Sequence, residues 1–122
     1  MANRNFNRKQ ALEKEVKEIY AEIAIGTSGA PTLTRGTGVA SIERNSAGSY
    51  TLTLQDKYMR LMHAAFTLVA PSTENLDIQI QSSDVSSAKT VTFVCHVAGS
   101  DTDPQDGDSI LVKLDLKNSS AT

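Results

Sequence analysis

The stretch "IERNSAGSYTLTL", residues 42–54, predicts a β-hairpin. Tyr50, Leu52 and Leu54 alternate with threonines, which is the period of a strand buried on one face. The preceding "NSAGS" supplies the turn, because Asn45 and Ser46 can hydrogen-bond their own backbone and Gly48 accepts positive φ without steric cost. The hairpin therefore fixes both a turn position and the inward face of its second strand.

The same alternation recurs through the rest of the chain, in "MHAAFTLVAP", "NLDIQIQSS", "KTVTFVCHVAG" and "DSILVKLDLKNS". A strand of period two exposes its whole apolar set if its register slips by one residue, so each register is well specified. Val94, His96, Lys113, Asp115 and Lys117 are expected to face outward. The residues expected to face inward are Ala40, Ile42, Met62, Ala64, Phe66, Leu68, Leu76, Ile78, Ile80, Val91, Phe93, Cys95, Val97, Ile110, Val112, Leu114 and Leu116.

Short strands separated by turn residues, with threonine enriched on the outer faces, are typical of antiparallel all-β domains. The sequence predicts a single antiparallel β-sandwich, jelly-roll-like or related. We expect the sandwich to comprise residues 17–122, preceded by a basic arm or short helix over residues 1–16.

The N-terminal third permits two interpretations. Residues Gln10 to Lys17 consist largely of good helix formers, and Leu12, Val16 and Ile19 lie on one helical stripe. The run "IYAEIAIG" is instead β-branched and alternates, which favours a strand ending at Ile25. We expect a short helix or extended arm up to about Lys17, then a strand, then a loop with a short strand around Thr32 to Thr34.

Composition bounds the class of protein. The chain has 122 residues, with 39% hydrophobic and 21% charged residues, which suits one globular domain. The formal net charge of −2 does not favour nucleic-acid binding. No apolar run approaches the roughly 20 residues that span a bilayer, so no membrane partner is expected. The single cysteine, Cys95, precludes an intrachain disulfide.

Catalytic or metal chemistry is not expected. Cys95 and His96 are adjacent in a predicted strand and therefore point to opposite faces, and His63 has no obvious catalytic partner. The acidic stretch "DTDPQDGD", residues 101–108, departs from the calcium-loop pattern and lacks a glutamate at position 112. We expect a polar hairpin loop set by Pro104 and Gly107, no metal, no cofactor and no enzymatic activity.

Three segments in a fixed order carry a family resemblance: "SGAPTL", then "GVASIERNSAGSYTLTLQDKYMRLM", then "DPQDGDSILVKLDLKNS". From about Tyr20 onward this order resembles small structural proteins of tailed bacteriophage virions. The resemblance implies a head decoration (cement) protein made in the host cytoplasm and placed on the outside of the head. Its implied partners are the major capsid protein and further copies of itself, as a dimer or trimer. A tail or fibre-associated sandwich that acts as a binding module remains the alternative.

The first nine residues contain Arg4, Arg8 and Lys9 and no acidic residue, interleaved with asparagines and Phe6. One interpretation is a frayed, solvated terminus. The other is an arm that orders on an acidic protein surface, with Phe6 as an apolar anchor. In a virion protein, Arg4, Phe6, Arg8 and Lys9 are then the expected contacts to the capsid.

Overall fold

The computed structural model describes residues 16–118, which form nine β-strands and a tight turn at Thr27–Gly29. No α-helix occurs within this range, and thus no helix there could cross a membrane. The strands are β1 (Val16–Ile25), β2 (Pro31–Arg35), β3 (Val39–Ser46), β4 (Ser49–Leu54), β5 (Arg60–Val69), β6 (Asp77–Asp84), β7 (Thr90–Val97), β8 (Ser100–Asp101) and β9 (Ser109–Lys117).

The strands form two antiparallel sheets that pack face to face. Sheet I has the order β2-β1-β9-β5, and sheet II has the order β3-β4-β7-β6 with the short β8 added to β7. Four hairpins, β1–β2, β3–β4, β6–β7 and β7–β8, stay within one sheet, and the chain crosses between the sheets after β2, β4, β5 and β8. The prediction of an antiparallel β-sandwich is confirmed.

The core lies between the sheets and consists of the inward set of each strand. Tyr50 and Phe93, opposite one another in sheet II, are fully buried, and their rings stack with centroids 5.6 Å apart. Phe66 of sheet I meets Phe93 with centroids 4.9 Å apart, which joins the two layers. The other fully buried apolar side chains are Ile23, Leu52, Leu54, Val91, Cys95, Ile110, Leu114 and Leu116.

From Val16 to Ile25 the structure confirms the strand interpretation of the N-terminal third. β1 runs from Val16 to Ile25 in the centre of sheet I, between β2 and β9. The predicted short strand around Thr32 to Thr34 is β2. Val16, which the prediction placed at the end of the arm, is the first residue of β1 and pairs with Lys117. The rest of the predicted arm or helix, residues 1–15, lies outside the described residues.

Two inward predictions are wrong because β-bulges shift the alternation. A bulge between Val39 and Ser41 exposes Ala40 and buries Val39 instead. A second bulge between Leu61 and His63 leaves Met62 exposed, and Leu61 packs against the core. An inserted residue re-aims the side chains beside it, and alternation alone does not reveal where the insertion lies.

Two side chains predicted to be exposed on the outer face are buried, both on strands with neighbours on each side. Val94 is buried on β7, flanked by Ser49 and Gln79. Lys117 is buried on β9, between Val16 and Arg60. Flanking side chains cover a central strand even on its outer face. Val97, predicted to be buried, is only half-buried, because β7 ends there.

Candidate interaction surface

The outer face of sheet I gathers the exposed apolar side chains. Every large hydrophobic side chain that is exposed within residues 16–118 belongs to sheet I or immediately precedes it. Tyr20 on β1 is 61% exposed, and Leu111 on β9 lies diagonally across from it. The others are Met59, Met62 and Val69, at or beside the β5 edge. Such clustering is typical of surfaces that bind other proteins.

Charged side chains on the same face neutralise one another. Lys113 lies 3.1 Å from the Glu18 carboxylate and 3.6 Å from that of Asp115. The hydrogen bond with Glu18 is the main cause that raises the pKa of Lys113. Arg35 lies 3.0 Å from Glu22 at the β2 side. The face therefore presents apolar groups among paired charges, a mixture that a protein partner covers without burying an isolated charge.

The outer face of sheet II is polar by contrast. Threonines and serines of β4 and β7 line it, and the Thr51 and Thr92 hydroxyls lie 3.2 Å apart across the strands. The Asn45 side chain donates to the Thr51 hydroxyl at 2.8 Å. No large hydrophobic side chain described on this sheet is exposed. Among residues 16–118, the exposed large apolar side chains that are typical of a contact surface lie on or beside sheet I and not on sheet II.

A polar cluster ties together one end of the sandwich. Arg44 on β3 makes a two-pronged ion pair with Asp103, with nitrogen–oxygen distances of 3.0 and 2.7 Å. The same carboxylate accepts the Gly48 backbone N–H at 2.8 Å, and the Tyr50 hydroxyl donates to the Gly29 carbonyl at 2.8 Å. These bonds fix the β1–β2 turn, the β3–β4 turn and the loop before β9 against one another.

The electrostatics of this cluster follow from its contacts. Hydrogen bonding from Arg44 lowers the pKa of Asp103, and burial raises the pKa of Tyr50. The Asp103 carboxylate is therefore charged at neutral pH and the Tyr50 phenol is protonated. Both groups are engaged in hydrogen bonds within the cluster, whose role is therefore to hold the loops together. We call the cluster of Arg44, Tyr50 and Asp103 the polar clamp.

Cys95 lies in the core beneath this clamp. It is fully buried, and burial, with a smaller contribution from Asp103, raises the pKa of its thiol to about 12. The nucleophilic thiolate is thus disfavoured. The inward prediction for Cys95 is confirmed, and its neighbour His96 points outward with Nε2 3.1 Å from Gln79 Oε1.

The acidic stretch, residues 101–108, was predicted to be a hairpin loop, but it joins β8 of sheet II to β9 of sheet I, and its carboxylates have separate structural roles. Asp103 belongs to the clamp, and Asp106 accepts a long hydrogen bond of 3.4 Å from Thr27. Asp108 is 1% exposed, and its Oδ2 accepts the Gln105 N–H at 3.0 Å. Among residues 16–118, no group of three or more His, Cys, Asp or Glu side chains is placed to hold a metal ion.

Glu74 lies in the loop between β5 and β6, and its carboxyl group is next to that of Asp108. Glu74 Oε2 and Asp108 Oδ1 are both buried, and neither accepts a hydrogen bond from an N–H or O–H donor among the described residues. Burial first, and then Asp108, raise the pKa of Glu74 to about 7. Two carboxyl groups in this arrangement are stable when they share a proton, as like-charged acids do at close range.

Of the residues that the sequence suggested as contacts, the structure describes His63 but not those of the N-terminal segment. The predicted capsid contacts Arg4, Phe6, Arg8 and Lys9 all lie outside the described residues. His63, predicted to be a surface or interface group, is exposed on β5. Sequence reasoning missed the sheet I surface. One feature of the sequence indicates this surface. In "SILVKLDLK", three consecutive apolar residues interrupt the alternation, which places the apolar Leu111 on the outer face.

Comparison of the chain with protein-family models, with curated proteins and with solved structures gave no match.

Proposed function

We propose that this chain is a structural protein of a bacteriophage virion, most specifically a decoration protein that binds the head surface and stabilises the shell. The observation that carries the proposal is the outer face of sheet I, where exposed apolar side chains lie among paired charges. The order of "SGAPTL", the central hairpin and the C-terminal strand, which resembles virion proteins, supplies the class of partner.

The fold suits a building block. The hydrogen bonds of the polar clamp hold the loops in place, and one continuous core joins the two sheets. The molecule therefore offers a rigid surface to a partner. A protein that binds only the assembled shell stabilises that shell by its binding free energy. Many copies act together, so that each contact is effective even when it is weak.

Two surfaces share the contact in this proposal. The outer face of sheet I supplies the apolar area, centred on Tyr20 and Leu111. The basic residues Arg4, Arg8 and Lys9 meet carboxylates of the major capsid protein, and Phe6 enters an apolar pocket. Charges at the rim of a contact mainly accelerate association and weaken with salt, whereas a buried aromatic slows release.

The test measures binding of purified protein to assembled capsids that lack it, at low and high salt. Y20D/L111D places two carboxylates on sheet I, and we expect it to reduce occupancy at least about tenfold. S41D/Q81D adds the same charge to exposed positions of sheet II and should bind as wild type. Deletion of residues 1–9 should reduce occupancy and its salt dependence while the melting temperature stays unchanged.

Each outcome separates the parts of the proposal. Full binding by the deletion variant would restrict the contact to the sheet, and full binding by Y20D/L111D would restrict it to the arm. If wild-type protein does not bind capsids under any of these conditions, the decoration function is wrong. Mass spectrometry of mature virions gives an independent measure, since a decoration protein is present in hundreds of copies.

A tail or fibre-associated binding module is the second candidate, and one observation favours it. Tyr20 is exposed beside a surface groove that is also lined by Glu18, Arg35 and Thr37. An exposed aromatic ring beside polar groups is a common platform for a sugar. Binding to a glycan panel that is lost in Tyr20→Ala, together with a low copy number per virion, would favour this function over decoration.

A further inference from the structure

The four edges of the two sheets are not equally protected against pairing with another strand. β2 is short and begins with Pro31, and β3 carries two bulges and the charged Glu43 and Arg44. β6 is interrupted by a bulge and has Asp77 and Asp84 at its two ends. Short length, proline, charge and bulges are the devices by which edge strands avoid association.

The edge formed by β5 has none of these devices over most of its length. From His63 to Val69 the strand pairs regularly with β9, without a bulge, a proline or a lysine, arginine or acidic residue. Within residues 16–118, no strand pairs with its other side, because β5 ends the order of sheet I. Half of its backbone N–H and C=O groups therefore point away from the sheet with no strand partner among the described residues.

The side chains of β5 suit pairing with a second copy of itself. When residues 63–69 run antiparallel to their symmetry mates, Phe66 lies opposite Phe66, Ala65 opposite Thr67 and His63 opposite Val69. No like-charged acid or base pair results, and the outward row consists of small or apolar groups beside a histidine. The exposed Met62 and Val69 at the two ends of the segment gain cover in the same contact.

We propose that two copies of the chain associate by antiparallel pairing of β5 with β5 about a two-fold axis near Phe66, which joins the two four-stranded sheets into one eight-stranded sheet. This dimer rests on the proposed function and specifies the self-association, as a dimer or trimer, that the resemblance to virion proteins implies. Since the axis is perpendicular to the sheet, both Tyr20–Leu111 faces then point the same way. A dimer of this form offers a shell two adjacent copies of the contact surface.

The experiment uses purified full-length protein without capsids, so that its result is independent of the decoration function. Sedimentation velocity from about 5 µM to about 500 µM should show a monomer–dimer equilibrium, because a seven-residue edge is a small interface. In A65E/T67E, like charges face each other twice across the axis, and we expect the dissociation constant to rise at least about tenfold.

Two further variants test the register. A65E/T67K places opposite charges at the same positions and should restore dimerisation, increasingly so at low salt. Ala65 lies beside Lys113 within its own sheet, so that a carboxylate there is compatible with the fold. Q81E/S83E adds two carboxylates to the exposed β6 edge and should dimerise as wild type. Circular dichroism confirms that each variant is folded.

The outcomes decide the proposal. Dimerisation by wild type, Q81E/S83E and A65E/T67K, but not by A65E/T67E, establishes the pairing. A monomer at every concentration overturns it, whether the edge is free or covered by another part of the chain. Unchanged dimerisation of A65E/T67E would place the dimer contact elsewhere, and equal loss in both β5 variants would contradict the register about Phe66.

Discussion

Gly48 lies in the β3–β4 turn, where three segments meet. Its φ is +74°, and a Cβ there would overlap the Cys95 carbonyl oxygen and come within 2.7 Å of the Thr102 nitrogen. Its own carbonyl accepts the Cys95 N–H at 2.7 Å. The turn can approach β7 this closely only because the residue has no side chain.

We expect Gly48→Ala to lower the free energy of unfolding by more than about 3 kcal/mol, because steric overlap adds to the cost of positive φ. Gly99→Ala is the matched control. Its φ is +84° but no atom lies within 4 Å of the added methyl group, so a cost of about 1–2 kcal/mol is expected. Urea unfolding measures both variants, and equal losses would mean that the turn relaxes away from β7.

The raised pKa of the Glu74 carboxyl, which is caused by burial and by the neighbouring Asp108, makes stability depend on pH. Because the folded-state pKa of Glu74 is raised from 4.5 to about 7, the folded protein binds more protons than the unfolded chain between these values. Stability should therefore be greatest below about pH 4.5 with respect to this group and decline as pH rises to about 7. Above that range both states are deprotonated and the dependence ends.

Glu74→Gln should remove this decline, since the amide can donate to Asp108 at every pH. The measurement is the urea midpoint at about pH 5 and about pH 8, for the variant and wild type. Glu43→Gln, which neutralises an exposed carboxylate on β3, should retain the wild-type decline. A wild-type midpoint that rises over this interval would contradict the shared proton.

At the scale of the elements, alternation predicted most of the sandwich correctly. The inward faces of β4 and β9 follow the period of two, as in Leu52 and Leu114, although Leu111 interrupts the alternation of β9. The errors occur where a bulge changes the phase, at Ala40 and Met62, and where neighbouring strands cover an outer position, at Val94 and Lys117. Both effects depend on the partner strand, which the local sequence does not specify.

The bulge in β5 yields a test of register. Leu61 packs against the core, whereas Met62 is 37% exposed. We expect Leu61→Ala to cost about 1–3 kcal/mol through lost burial, and Met62→Ala to remain within about 0.5 kcal/mol of wild type. Strict alternation predicts the opposite order. Thermal or urea unfolding of the pair distinguishes the two registers directly.

The candidate surface was less predictable than the fold. Tyr20 and Leu111 become neighbours only because β9, the last strand, inserts between β1 and β5. No local sequence pattern predicts that β9 lies between β1 and β5. The Asp103 clamp likewise depends on residues 59 positions apart in the chain, at Arg44 and Asp103. Long-range pairing of this kind is determined by the assembled topology, so the sequence indicated only the polarity of each segment.

At the scale of the whole molecule, the two sheets depend on a shared core. Phe66 and Phe93 come from different sheets, and their rings meet at 4.9 Å with an interplanar angle of 38°. Phe93 is fully buried and also stacks on Tyr50. Because such contacts join the layers, we expect the sandwich to unfold as one cooperative unit rather than sheet by sheet.

A double-mutant cycle on this pair tests the cooperative core. Phe93→Ala should cost about 3–5 kcal/mol and Phe66→Ala about 2–4 kcal/mol, since Phe66 is only half-buried. The double variant should lose about 0.5–1.5 kcal/mol less than the sum, because each single variant already removes the ring contact. Phe66→Ala with Val39→Ala, from opposite edges of the sandwich, should be additive.

Urea unfolding followed by both circular dichroism and tyrosine fluorescence should give coincident transitions in wild type, and separated transitions would mean that the sheets unfold independently.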